Sequence, residues 1–250
     1  MVTLEKEVEE APSPSIVLPV ASKKGRKVIY TLRVGDYARE ICEITYPLLR
    51  AYAHKIGADI HIIKTRRWPD MPVVYEKLQV FYLAQENQNE WSIYIDSDTL
   101  VHPDFFDVTN HLDRRTVCHN GKDMAGNRWR YDRFFKRDGR HIGSCNWFAA
   151  ASDWCVDLWH PLDDLTLEEA LANIFPTVDE QRTGLIAPEH LIDDYVLSRN
   201  IAKFGIRYKT VMDIQAELGV PLGGLFHLYN ITEEEKIERM KKVLKDWKLA

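Results

Sequence analysis

Between residues 28 and 63 the chain changes its hydrophobic period twice, and this narrows the folds open to it more than any other feature. Val28-Ile29-Tyr30-Thr31-Leu32 is a β-branched and aromatic run, the pattern of a buried strand. From Tyr37 to Ile56 the apolar residues Ile41, Ile44, Leu48, Tyr52 and Ile56 recur every three or four positions, and Gly57 offers a stop. Asp59-Ile60-His61-Ile62-Ile63-Lys64 then reads as a second strand. A strand, a long helix and another strand require a crossover, so the two strands are expected to be parallel with a right-handed connection. A helix over Tyr75 to Gln85, a polar turn at Glu86 to Glu90 and a strand at Trp91 to Ile95 continue the alternation. The expected class is α/β, with a mixed, mostly parallel sheet flanked by helices.

Residues 1–26 look like a disordered tail: acidic Leu4 to Glu10, then Pro12, Pro14 and Pro19, then Lys23, Lys24 and Arg26. Packed structure is expected from Lys27. No Pro-, Gly- or Ser-rich linker follows, so 27–250 is read as one domain. In its second half, helices are expected at Leu167–Ile174, Leu191–Phe204 and Glu233–Trp247. The last carries Ile237, Met240, Val243 and Leu244 on one face and Thr232 as its cap. A mixed apolar run spans Ile142–Ala151, and Ile206–Val211 is a candidate strand.

Lys and Arg number 33 against 38 Asp and Glu, a net charge of −5. That balance argues against a nucleic-acid binder, whose affinity rests on neutralising phosphates. No apolar run approaches the ~20 residues of a membrane span, and Met1 to Glu10 lacks the apolar core of a signal peptide. The four cysteines, Cys42, Cys118, Cys145 and Cys155, have no metal-like spacing. Free thiols and a cytoplasmic location are the expectation.

The chemistry concentrates where the third strand ends, in Ile93-Tyr94-Ile95-Asp96-Ser97-Asp98-Thr99-Leu100-Val101. Ligands of open α/β sheets sit at the carboxyl ends of strands. Alternate residues of an extended chain share a face, so Asp96 and Asp98 are expected to converge there. Two close carboxylates need a neutralising cation, and oxygen donors suit Mg²⁺ or Mn²⁺. Such an ion keeps open positions for a diphosphate. His227, in Gly223-Gly224-Leu225-Phe226-His227, is the candidate third ligand.

Tyr75-Glu76-Lys77-Leu78 through Asp96-Ser97-Asp98-Thr99-Leu100-Val101 resembles the glycogenin-like (family 8) glycosyltransferases of GT-A, Rossmann-like fold. Thr31 to Ala38 looks like that family's first strand and turn, Asn146 like the Asn of its Asn-Ala-Gly segment, Asp193-Asp194 like its Asp-Gln, and Phe226-His227 like its late metal-ligand segment. The resemblance covers roughly residues 27–230. It implies Mn²⁺ (or Mg²⁺) on Asp96, Asp98 and His227, with Thr31, Tyr37, Lys77, Asp96 and Asn146 around a nucleotide-diphosphate sugar, a UDP-sugar. It places Asp193 and Asp194 beside the transferred hexose, Asp194 foremost, and implies transfer with retention to an acceptor of unknown kind (glycan, protein or small molecule). Three departures stand out: Trp147 follows Asn146, Asp194 replaces Gln, and no Lys-Pro-Trp follows His227. Arg128, Arg130 or Arg133, in a segment that equally reads as a solvated loop, is a candidate substitute for the missing Lys.

Two other classes fit parts of this pattern. Asp96-Ser97-Asp98-Thr99 also resembles the nucleophile motif of haloacid-dehalogenase-type Mg²⁺-dependent phosphatases, in which the first Asp attacks phosphorus. That motif usually lies on a first strand, whereas here a full strand–helix–strand unit precedes it. The other is a non-catalytic nucleotide-sugar or glycan binder, which the seven Trp and eleven Tyr would suit.

Overall fold

Alternating side chains of the central strands fill two separate cores, and this fixes a sheet with helices on both faces. On β1 (Lys23–Leu32), Val28, Tyr30 and Leu32 enter one core and Ile29 the other. On β3 (Asn89–Ile95), Tyr94 joins the first core, while Ile93 and Ile95 join the second. Each such fully buried apolar side chain contributes roughly 1.5–3 kcal/mol. The computed structural model describes residues 23–36, 38–120 and 146–249. Most of the expected tail, Tyr37, Cys145 and the arginines 128, 130 and 133 lie outside the described residues.

In chain order, β1 is followed by α1 (Arg39–Ile56), β2 (Ala58–Ile63), α2 (Val80–Glu86), β3, β4 (Leu100–Val101), β5 (Thr116–His119) and β6 (Phe148–Ser152). Then come α3 (Leu167–Leu171), α4 (Val178–Thr183), α5 (Ile192–Lys203), β7 (Arg207–Thr210), α6 (Val211–Leu218), β8 (Leu225–Phe226) and α7 (Glu233–Asp246). The main sheet runs β2-β1-β3-β6-β5-β7. Its β1–β2, β1–β3 and β5–β7 pairs are parallel, and β6 runs antiparallel to β3 and β5. The strand–helix–strand unit is as expected, and Gly57 ends α1 in the left-handed region at φ 66°. Cys42, Cys118 and Cys155 are free and buried. No described helix is long and apolar enough to cross a membrane.

Three elements differ from expectation. β1 starts at Lys23, ahead of Lys27, because the Lys23 amide donates to the Gln88 carbonyl at 2.8 Å and Gly25 (φ 80°) lets the register shift before Lys27. The helix expected over Tyr75–Gln85 opens as a 3₁₀ segment, Val73–Gln79. Glu76 there is turned inward and accepts from Arg66, Gln79 and the Arg67 and Trp68 amides, which ties the segment to the preceding loop. Val211 opens α6 rather than closing a strand, because Thr210 and Asp213 form a reciprocal cap.

Candidate functional site

The site is built where β3 ends. Asp96 follows the alternation of Tyr94, whose hydroxyl donates to Asp96 Oδ1 at 2.8 Å. The chain then turns instead of staying extended: the Thr99 amide donates to the Asp96 carbonyl at 3.0 Å. The two carboxylates therefore converge through a turn, not through strand alternation. Thr45 on α1 pins that turn, its hydroxyl donating to the Ser97 carbonyl at 2.6 Å.

His227 arrives from the far end of the chain on a two-residue ribbon. β4 and β8 pair antiparallel, Leu100 opposite Phe226, so the residue after β8 lands beside the residues before β4. Gly224 makes this approach possible. Its φ is 86°, and a Cβ there would lie 2.7 Å from the Phe105 ring. Trp147 stacks flat on the imidazole, with ring centroids 4.8 Å apart and planes 11° apart. His227 Nε2 lies 3.3 Å from Asp98 Oδ1 and 4.0 Å from Asp96 Oδ2. One ligand atom each of Asp96, Asp98 and His227 falls within 4.8 Å of the others. Two carboxylate oxygens and an imidazole nitrogen so placed are a donor set that could hold a divalent metal ion.

Lys77 lies beneath this triad at 3% exposure. Its ammonium is 2.5 Å from Asp193 Oδ2 and 3.0 Å from Asp96 Oδ1, and it donates to the Asn146 carbonyl at 2.8 Å. Burial alone would lower its pKa; the carboxylates of Asp193 and Asp96 reverse this and hold it above its ordinary value. Burial pushes the Asp193 carboxyl up to about 6 despite Lys77. Asp98 moves the other way: burial would raise it, but His227 and Lys236 hold it well below the usual carboxylate range. Burial, then Asp96, keeps the Tyr94 phenol protonated far above its ordinary value.

The structure thus gathers Asp96, Asp98, His227, Lys77, Asp193 and the Asn146 backbone. Asp194 is buried on the first turn of α5, and the adjacent Asp193 is the one that meets Lys77. Thr31 is buried on the opposite sheet face, beside Tyr46 under α1. The expectation for Tyr37 falls outside the described residues. Sequence reasoning missed Tyr94, Thr45, Trp147 and Lys236. Lys236, on the first turns of α7, reaches Asp98 Oδ2 at 2.5 Å.

No family model and no curated protein matches this sequence. Among solved structures, a glycosyltransferase involved in the glycosylation of the major capsid of PBCV-1 is similar in fold. Its TM-score is 0.51 at 13% identity, covering 87% of this chain and 99% of that one. The chain therefore shares the mixed α/β, GT-A-like fold of that structure, with an Asp-Asp-His cluster at the carboxyl end of its central strand.

Proposed function

We propose that this protein is a metal-dependent glycosyltransferase that moves a hexose from a nucleotide-diphosphate sugar, a UDP-sugar, to an acceptor, with retention at the anomeric carbon. The observation that carries this reading is the convergence of Asp96, Asp98 and His227 in a chain of this fold. Those three residues would hold Mn²⁺ or Mg²⁺, and the ion would neutralise charge on the departing nucleoside diphosphate. Tyr37, a few residues past the end of β1, would flank the nucleoside, a contact that the burial of Thr31 under α1 denies to the Thr31 side chain.

The site's own residues suggest a division of labour. Lys77, held by three acceptors, keeps Asp96 and Asp193 in place at the floor of the site. Asn146 and Asp194 would border the sugar, where a carboxylate stabilises positive charge at the anomeric carbon. The phosphatase alternative leaves His227 and Lys77 without a role and sets its nucleophile on the third strand rather than the first.

The test is calorimetry of UDP binding with and without Mn²⁺, on the wild type and on Asp96→Ala/Asp98→Ala. Binding that requires both the metal and the carboxylates supports the reading. Nucleotide binding indifferent to both overturns it. Phosphate release from small phosphomonoesters without any nucleotide binding would favour the phosphatase.

A further inference from the structure

The two oxygens of Asp98 face different partners. Oδ1 looks toward His227, and Oδ2 is taken by the Lys236 ammonium. The side chain of Lys236 keeps 13% of its exposure. It reaches inward from a helix already anchored by Met240, Ile237 and Val243 against Leu100 and Phe226. It can therefore swing away from Asp98 without disturbing α7.

The charges in direct contact nearly balance. Asp96, Asp98 and Asp193 are met by Lys77 and Lys236, so three carboxylates face two ammonium groups. Lys77 is buried and shared among three acceptors, so it is committed to the scaffold. Lys236 has one carboxylate and lies at the rim. A lone divalent cation would share Asp98 with this ammonium and be repelled by it. Once such an ion is bound, the local charge turns positive and favours a multiply charged anion.

We propose that Lys236 is a built-in counter-cation that makes metal and anion binding mutually dependent: it weakens the hold on a lone divalent ion and strengthens the hold on the ion's complex with a diphosphate. This rests on the metal-dependent reading given above. The physical basis is linkage, since a group that disfavours one ligand alone and favours the pair couples the two.

The experiment titrates Mn²⁺ alone by calorimetry, then inorganic diphosphate as its Mn²⁺ complex. The proteins are the wild type, Lys236→Gln, Lys236→Arg and Lys241→Gln, the last removing an exposed charge from the same helix. Lys236→Gln is expected to bind lone Mn²⁺ about tenfold more tightly and the diphosphate complex about tenfold more weakly. Lys236→Arg and Lys241→Gln should stay near wild type. Unchanged or weaker Mn²⁺ binding by Lys236→Gln overturns the counter-cation role, and an unchanged diphosphate affinity overturns the coupling. If wild type takes up no Mn²⁺ with or without diphosphate, or if Asp98→Asn binds it as wild type does, the metal reading itself fails and the inference with it.

Discussion

Lys77 and Lys236 each pair with one carboxylate of the Asp-Asp-His cluster, Lys77 with Asp96 and Lys236 with Asp98, yet their surroundings differ in kind. Lys77 is sealed at 3% exposure, holds three acceptors, and comes from a 3₁₀ segment locked by the Glu76 network. Lys236 sits on a polar helix face with one carboxylate for a partner. A buried ammonium with several acceptors defines geometry, because losing it strands charges away from water. An ammonium with one acceptor, which also faces His227, is more readily exchanged, and removing it costs less. The difference teaches that charge at this site serves two separate ends, construction and response.

The sharpest way to break the comparison is to remove each lysine in turn. Lys77→Met leaves Asp96 and Asp193 buried without their cation, and a loss of about 3–5 kcal/mol in unfolding free energy is expected by denaturant titration. A loss below about 1 kcal/mol would put Lys77 in the same class as Lys236. Next in size is Gly224→Ala, which sets a Cβ against Phe105 at positive φ. About 2 kcal/mol of destabilisation is expected, with weakened Mn²⁺ binding because His227 is displaced.

A pH series sharpens the picture of the floor. The Asp193 carboxyl is raised to about 6 in the folded protein. Between its ordinary value and that point the native state keeps a proton that the unfolded chain has released. Its contribution to stability is therefore present in full at low pH and declines as pH rises toward 6 and through it. Wild type should lose on the order of 2 kcal/mol over pH 4 to 6 from this group. Asp193→Asn should flatten that decline in thermal melts, and an unaltered slope would contradict the assignment. The smallest effect belongs to Lys236→Met, about 1 kcal/mol in stability by the same denaturant titration, since Asp98 keeps His227 as a neighbour.

Legibility in the sequence divides along similar lines. β1, α1 and β2 could be read because each has its own period, and Gly57 marks a stop. The Asp96–Asp98 pair could be read because it ends a buried strand. The turn that makes the pair converge could not, since it depends on Thr45 of a distant helix. The 3₁₀ opening before α2 was hidden for the same reason, because Glu76 finds its partners in the preceding loop. Some signals were present but unread: Thr210 and Asp213 have the spacing of a capping box and announce α6. Lys236 gave no signal, since a lysine after Glu233, Glu234 and Glu235 reads as a solvated helix charge and its partner lies 138 residues away. Trp147 follows the Asn that drew attention, yet its ring partner His227 becomes its neighbour only in the fold.

The β4–β8 ribbon also sets a schedule. Its two residue pairs join segments separated by about half of the chain, and closing so long a loop is slow relative to local structure. The strand–helix–strand unit can form while the C-terminal third is still being synthesised, but His227 cannot meet Asp98 until β8 has docked. The Asp96, Asp98 and His227 cluster therefore assembles late in folding. Three-ligand metal uptake would timestamp the completed molecule, and a chain arrested before β8 would be left with two carboxylates and no imidazole.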